Sequence, residues 1–385
     1  MKIAIITISI LSFFVFNSPS TFRIEDSNRI INPDSSVTIS ISVVGDLMCH
    51  APQFEYSRVS KDSFDFNPVY RNVKHYLEAS DFTFGNLETV TAGKENGGYA
   101  GYPKFNSPAS YITALKDVGF DLLVTANNHS LDRSEKGILK TIDEINSRNL
   151  KYVGTYTSQQ DRDSIRIFDV KGIKIAVLAY SYGTNGNPIP KGKNYLINLI
   201  DYELIGKDIQ SAKANGAELV LVHFHFGEEY KREPVQFQKD VVNKTIDLGA
   251  DIIIGGHPHV LQPVNFYKTN NANLDSGFVA YSMGNFFSNQ RDRYKDAGII
   301  LTMNIKKDFV SNKFEISEVN YLPTWVFKGN TSNGKEYVII PSTNISDTTL
   351  YLSNSEILKM NQAFDDTRFI INKYTSDPKL KEIRD

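Results

Sequence analysis

The sequence of 385 residues predicts an α/β fold with much parallel or mixed sheet, on two observations. A local pattern recurs in which an amphipathic helix, closed by a Gly or another small residue, precedes a short β-branched and apolar run. Those runs are apolar throughout rather than alternating, as strands covered on both faces must be. Four copies read directly: Ala79-Ser80-Asp81 before FTFGNLE, Gly119-Phe120-Asp121 before LLVTANNH, Gly216-Ala217-Glu218 before LVLVHFH, and Gly249-Ala250-Asp251 before IIIGGHPH.

The elements follow in order. Lys2 precedes an apolar run from Ile3 to Phe16 that ends in Asn17-Ser18-Pro19-Ser20, the pattern of a secretory signal peptide over residues 1–20. Its fourteen residues fall short of the about 20 that span a bilayer. An exported protein is therefore expected, periplasmic or at the cell surface, with an uncleaved N-terminal anchor as the alternative. The first strand, VTISISVV, starts at Val37. A Gly after each helix suits the left-handed residue of a helix C-cap. The helix from Pro234 to Leu248 carries both signals, Pro at its first position and Gly249 just past its end. After Ile300 the runs LTMNI, FEISEVNYLPTWVF and EYVIIP read as strands extending the same sheets. Ser342 to Thr348 reads as a linker, and Ile357, Leu358, Phe364, Ile370 and Ile371 place the apolar face of an outer helix. The division is a signal peptide over 1–20, one domain over 37–341, and a linker and helix over 342–385.

Composition excludes several classes. With 42 Lys plus Arg against 44 Asp plus Glu, the formal net charge is −2, so no whole-chain basic field exists to hold nucleic acid. The single cysteine, Cys49, rules out an intramolecular disulfide framework and a zinc ribbon. Any metal must be held by His, Asp, Glu and Asn.

Function lies in what each strand runs into. The first ends in Gly45-Asp46-Leu47-Met48-Cys49-His50; the others end in Asn86-Leu87-Glu88, Asn127-Asn128-His129, His223-Phe224-His225 and His257-Pro258-His259. Six of the seven histidines lie there, all but His75. One H-x-H or Asn-His pair is ordinarily a hydrogen-bonded histidine, and Gly45-Asp46 alone could be a turn. Five strand ends of this kind are a different matter, because the carboxyl ends of strands in an open α/β sheet converge on one crevice. A carboxylate and imidazole set without thiolate suits Zn, Mn or Fe. It exceeds what one tetrahedral ion needs, so two ions sharing a carboxylate are expected.

In order, the motifs GDLMCH, FGNLE, FNSPASYITALKDVGFDLLVTANNHSLDRSEKGILKT, HFGEEY, GADIIIGGHPHVLQPV and YSMGNFF resemble the CapA family of poly-gamma-glutamate capsule synthesis proteins, over about Val37 to Ile300. The family's fold is similar to that of calcineurin-like metallophosphoesterases. The resemblance implies a β-sandwich of two mixed sheets flanked by helices, with a two-metal site at the strand ends. It also implies Asp46 and His259 on one ion, with His50 a further ligand. Asn128, His225 and His257 would hold the other ion. Glu88 takes the place of the usual bridging Asp, and His129 that of the histidine that protonates a leaving group. Three features depart from the pattern: Glu88 is one methylene longer than Asp, the Asp46 to His50 spacing is wide, and Gly256 stands where many relatives have His.

Glu229, Tyr230 and Asn285 are expected to orient ligands. Loops over Gly93 to Pro103, Thr184 to Lys193 and Asn289 to Asp296 could cover the site. Lys94, Lys104, Lys231, Arg232, Arg291 and Arg293 could receive an anion. Two functions follow. One is a metal-dependent hydrolase or transferase acting on an anionic polymer or phosphoester. The other is a non-catalytic polymer-binding, assembly or export factor with a structural or vestigial metal site. A membrane capsule-synthesis complex is the expected protein partner.

Overall fold

All the strands predicted above form in the computed structural model, which describes residues 36–342 and 351–383 and the backbone of Phe22 and Arg23. The expected signal peptide over 1–20 and residues 343–348 of the expected linker lie outside the described residues. Each of the four repeats holds a helix and then a strand: Lys74–Glu78 before Phe82–Leu87, Ser110–Asp117 before Leu122–Val124, Tyr202–Ala214 before Leu219–His225, and Gln236–Leu248 before Ile252–Gly256. Gly119, Gly216 and Gly249 all have φ between 90° and 98° or at 105°, the left-handed region that ends a helix without a Cβ clash. One boundary differs from expectation. Pro234 stands outside its helix, which begins at Gln236 because Gln238 Oε1 accepts the Val235 N–H at 3.1 Å and closes the first turn from within.

Two mixed sheets carry these strands. The larger has nine strands, in the order Gly334–Pro341, Lys313–Thr331, Ala297–Asp308, Ser36–Leu47, Phe82–Leu87, Leu122–Val124 and Lys151–Val153, with Asn285–Phe287 and Leu380–Glu382 paired alongside. The smaller has seven, in the order Phe22–Arg23, Ile167–Val170, Ile173–Ser181, Leu219–His225, Ile252–Gly256, Gly277–Ala280 and Val264–Tyr267. The helix-linked strands are parallel, and the hairpin-linked ones antiparallel.

Side-chain period sets the layers. Ile39, Ile41, Val43, Phe82, Phe84, Leu122 and Val124 of the larger sheet meet Ile175, Val177, Leu219, Leu221, Ile252 and Ile254 of the smaller one in a single buried cluster. The alternate residues face outward. Val44, Leu87 and Leu123 pack on Tyr111, Leu115, Ile138 and Ile142. Val220, Val222 and Ile253 pack on Ile205, Ile209, Val241 and Val242. Each such buried side chain contributes about 1.5–3 kcal/mol. The result is four layers, helix, sheet, sheet, helix, which is the architecture the resemblance implied.

The C-terminal helix, Asn354–Ile371, starts at a capping box in which Ser353 N–H donates to Glu356 Oε2 at 2.7 Å. Met360 and Ala363 bury against Trp325, Phe327 and Val338, while Ile370 and Ile371 reach the inter-sheet cluster. Leu358, expected on the packed face, is 69% exposed, because that face is set by Met360, Ala363 and Thr367 one turn apart. Among the described residues no helix is long and apolar enough to cross a membrane.

Candidate metal centre

The inner-face period that buries the core also delivers the candidate ligands. Phe82 and Phe84 point between the sheets, and two and four residues on come Asn86 and Glu88; Leu219 and Leu221 are followed by His223 and His225. The first strand needs a correction to its phase, since Ile39, Ile41 and Val43 face inward and would leave Asp46 outward. A β-bulge between Val44 and Asp46 supplies it. Leu47 turns out to the helices, and Asp46 turns in.

Asp46, Glu88, Asn128, His225, His257 and His259 are all buried, and their donor atoms fall into overlapping groups. Glu88, His225 and His257 form one, and Asp46, Glu88 and His259 a second, each with donor atoms within 4.8 Å of one another. Glu88 belongs to both. His225 Nε2 lies 3.0 Å from Asn128 Oδ1 and 3.4 Å from Glu88 Oε1, and His259 Nε2 lies 3.6 Å from the same oxygen. Two donors sharing an ion at about 2.1 Å each stand about 3.0–3.4 Å apart. Both Glu88 oxygens and His257 Nδ1 are buried without a hydrogen-bond partner, which is costly unless something else satisfies them. The residues therefore fit divalent cations.

Supporting contacts fix the orientation of these groups. His259 Nδ1–H faces two acceptors, Asp46 Oδ2 at 3.0 Å and Asn285 Oδ1 at 3.1 Å, leaving Nε2 toward Glu88. Asn285 is one of the residues expected to orient ligands, and its contact here is with His259. Asn86 Nδ2 donates to Asp46 Oδ1 at 2.8 Å and lies 3.2 Å from His225 Nδ1. The His257 N–H donates to Asp46 Oδ2 at 3.2 Å. His257 and His259 have φ of 98° and 56°, strained for residues with a Cβ and typical of functional turns. Tyr230 N–H holds that turn by donating to Pro258 O at 2.7 Å.

Burial, the largest influence, pushes His225 down to about 3, His257 to about 2 and His50 to about 4. Burial thus favours the neutral form of all three rings, each with one lone pair to offer. Burial pushes Glu88 well above the usual carboxylate range. For Asp46 burial acts in the same upward sense, but its hydrogen bond to His259 and the nearby imidazoles hold it well below. His259 is opposed by burial yet raised by Glu88 and Asp46.

Other expected residues sit differently. His50 belongs to none of these groups: it caps the helix Ala51–Tyr56, where its Nδ1 lies 3.1 Å from Gln53 Oε1. Glu229, expected to orient ligands, is exposed and forms a third group with His257 and His259. His129 is buried beside the cluster, its Nδ1–H donating to Asp132 Oδ2 at 2.7 Å and its ring edge-on to Phe105 at 4.6 Å. His223 lies on the inner face one step below His225, with Nδ1 unpartnered. The Cβ of any residue replacing Gly256 would lie 2.6 Å from Asp46 Oδ1. The departure noted there makes room for a ligand.

Asn86, Asp132 and Tyr182 were missed by sequence reasoning. Asn86 could have been found from the inner-face period of FTFGNLE. Asp132 lies three residues past His129, but nothing local marks that pairing. Tyr182, two residues before the Thr184 to Lys193 segment expected to cover the site, lies 4.5 Å from His257 between ring centroids. Four of the six basic side chains proposed to receive an anion are engaged elsewhere. Lys94 pairs with Asp62, Arg291 donates to Val326 O, Arg293 pairs with Asp366, and Arg232 donates to the Asp366 carbonyl.

The chain is similar in sequence to known proteins. A capsule biosynthesis protein CapA of Bacillus anthracis is 31% identical over 269 residues, which are 68% of this chain and 63% of that protein. The chain thus spans less than two thirds of that relative's length. A PGA biosynthesis protein CapA of Bacillus subtilis (strain 168) is 28% identical over 291 residues, 74% of this chain and 72% of its own. Among solved structures, the NAD nucleotidase of Haemophilus influenzae is similar at 13% identity and a TM-score of 0.47, covering 90% of this chain and 57% of that one. Residues 40–290 match the family model described as bacterial capsule synthesis protein PGA_cap, and the chain belongs to that family.

Proposed function

We propose that this chain is an exported, metal-dependent hydrolase or transferase of capsule polymer metabolism, acting on poly-gamma-glutamate or a related anionic polymer or phosphoester. The observation that carries the reading is Glu88, wholly buried with both oxygens unpartnered and common to two ligand groups. A carboxylate in that state is suited to bridge two cations. Asp46, Glu88 and His259 would hold one ion, and Glu88, Asn128, His225 and His257 the other, with Mn, Zn or Fe the candidates. When bound, such ions supply an activated water at neutral pH and neutralise charge on the substrate.

The chain's own groups do the rest. Asp132 accepts the Nδ1–H of His129, so Nε2 is the nitrogen that gives or takes a proton at the leaving group. Tyr182 shields the His257 side of the cluster from water. Lys104 and Lys231 remain for an anionic ligand, since their side chains make no ion pair among the described residues. The relatives' names supply the capsule context, and a membrane capsule-synthesis complex is the proposed partner.

A second reading, a polymer-binding or export factor whose metals are structural, is favoured by the same engagement of four basic side chains in internal contacts. Elemental analysis of purified protein should find near two divalent ions per chain, with less in His257→Ala. Incubation with poly-gamma-glutamate and generic phosphodiesters then separates the readings, turnover supporting the enzyme. Unchanged metal content in both His257→Ala and His225→Ala would remove the centre.

A further inference from the structure

The C-terminal helix lies beyond the family match, which ends at residue 290, yet one of its residues ties together the two loops that flank the ligand cluster. Asp366 Oδ1 and Oδ2 accept Arg293 Nη2 and Nε, both at 2.8 Å, and its carbonyl accepts Arg232 Nη2 at 2.6 Å. The two guanidinium groups also lie 4.2 and 4.8 Å from the Tyr294 ring centroid. One loop follows His225 and the other follows Asn285, so a single carboxylate-bearing residue gathers both.

From there the contacts run inward. Asn285 Nδ2 donates to Lys295 O at 2.8 Å and to Gln290 Oε1 at 3.0 Å. Lys295 Nζ sits 4.6 Å from the Tyr230 ring centroid, and Gln290 Nε2 donates to Tyr230 OH at 3.4 Å. Asn285 Oδ1 meets His259 Nδ1, and Tyr230 N–H meets Pro258 O. The turn they hold carries two left-handed histidines, a conformation that persists only when its surroundings enforce it. A cavity of about 160 Å³ remains between helix and loop, lined by Arg291, Arg293, Tyr294, Asp296, Lys359 and Asp366. Polar ties, rather than close packing, therefore fix the loop at this edge.

We propose that Asp366 is a positioning residue for the metal centre, clasping the 285–296 and 230–233 loops so that Asn285 and Tyr230 keep His259 aimed at Glu88. The proposal rests on the metal reading above. It is tested on full-length protein by hydrogen–deuterium exchange across 285–296 and by Co²⁺ titration followed by absorption. Asp366→Asn and Arg293→Gln should speed exchange there and weaken Co²⁺ binding roughly tenfold, the lower end of what outer-sphere partners carry. Asp366→Glu should recover much of the loss. Arg368→Gln is the control: it breaks a 2.7 Å contact to Glu382 from the same helix, away from both loops. It should leave exchange and affinity at wild-type values even if melting temperature falls. Unchanged Co²⁺ affinity in Asp366→Asn and Arg293→Gln, or an equal loss in Arg368→Gln, would overturn the clasp alone. A wild-type chain that takes up no Co²⁺ would overturn the metal centre itself, and the clasp with it.

Discussion

His129 has its ring held by Asp132 on one nitrogen and by the edge contact with Phe105, while none of the ligand groups includes it. It can therefore be removed without removing a ligand. His129→Ala should keep the fold and the metals and lose about 10²–10⁴ in turnover, as the loss of a general acid does. Metal content, melting temperature and rate on one preparation check this; full activity in a well-metallated variant would exclude the acid role. Gly256 makes the opposite case. A Cβ there meets Asp46 Oδ1 at 2.6 Å, and Asp46 is buried and hydrogen-bonded to Asn86, His257 and His259. Gly256→Ala should therefore displace the carboxylate and lower metal occupancy, read by elemental analysis, whereas Gly98→Ala, with open space around its Cβ position, should not. At this scale the candidate ligands were legible only together: one imidazole or carboxylate at a strand end is ordinary, whereas five such ends converging on one crevice are not. Asn86 and Asp132 were not legible, since an amide or a carboxylate that orients an imidazole from behind carries no mark of its own until its partner is in place.

Helix ends and strand phases were read with unequal success, for physical reasons. The Gly stops after three of the four repeat helices work because only Gly enters the left-handed region without a Cβ penalty. Gly249, at φ 105°, tests this. The Cβ added in Gly249→Ala would meet Lys213 Nζ at 2.6 Å, the free end of a flexible side chain that can move aside, so the cost is that of the backbone, about 1–2 kcal/mol. A fall in melting temperature at unchanged metal content is the expected outcome. No fall would mean the cap carries no conformational constraint. Two features escaped the pattern. The bulge between Val44 and Asp46 shifts the inner-face phase by one residue, and a period-2 reading cannot contain a phase shift. Leu380–Glu382, three residues with no apolar run to mark them, becomes a strand by pairing in parallel with Val319 to Tyr321, with Leu380 packed on the inter-sheet cluster.

Across the whole molecule, the cluster is divided between the two sheets. Asp46 lies at the end of a strand of the larger sheet and Glu88 and Asn128 follow strands of it, whereas His225, His257 and His259 end or follow strands of the smaller one. The four helix-then-strand repeats made parallel strands readable, and parallel strands bring their carboxyl ends to one edge. Which strands share a sheet was not readable from them, because each is apolar on both faces and would fit either layer. The division has an energetic consequence. Between the sheets the apolar cluster ends where the ligands begin, so at that edge the layers meet through buried carboxylates and imidazoles, whose mutual contacts leave both Glu88 oxygens unpartnered. An ion bound there would tie one sheet to the other at a site that exists only in the folded chain, so binding would add to stability by mass action, about 2.7 kcal/mol for one site at a hundredfold excess over Kd. Chelation should then lower the melting temperature by roughly 5 °C per ion, at about 2 °C per kcal/mol for a domain of this size or somewhat smaller. Glu88→Gln should melt near the chelated wild type and respond little to added Mn²⁺ or Zn²⁺, because the neutral amide no longer draws cations to the seam. Thermal melts of both proteins with chelator and with each metal measure this, and a wild-type melting temperature indifferent to chelation would mean that no ion bridges the two sheets.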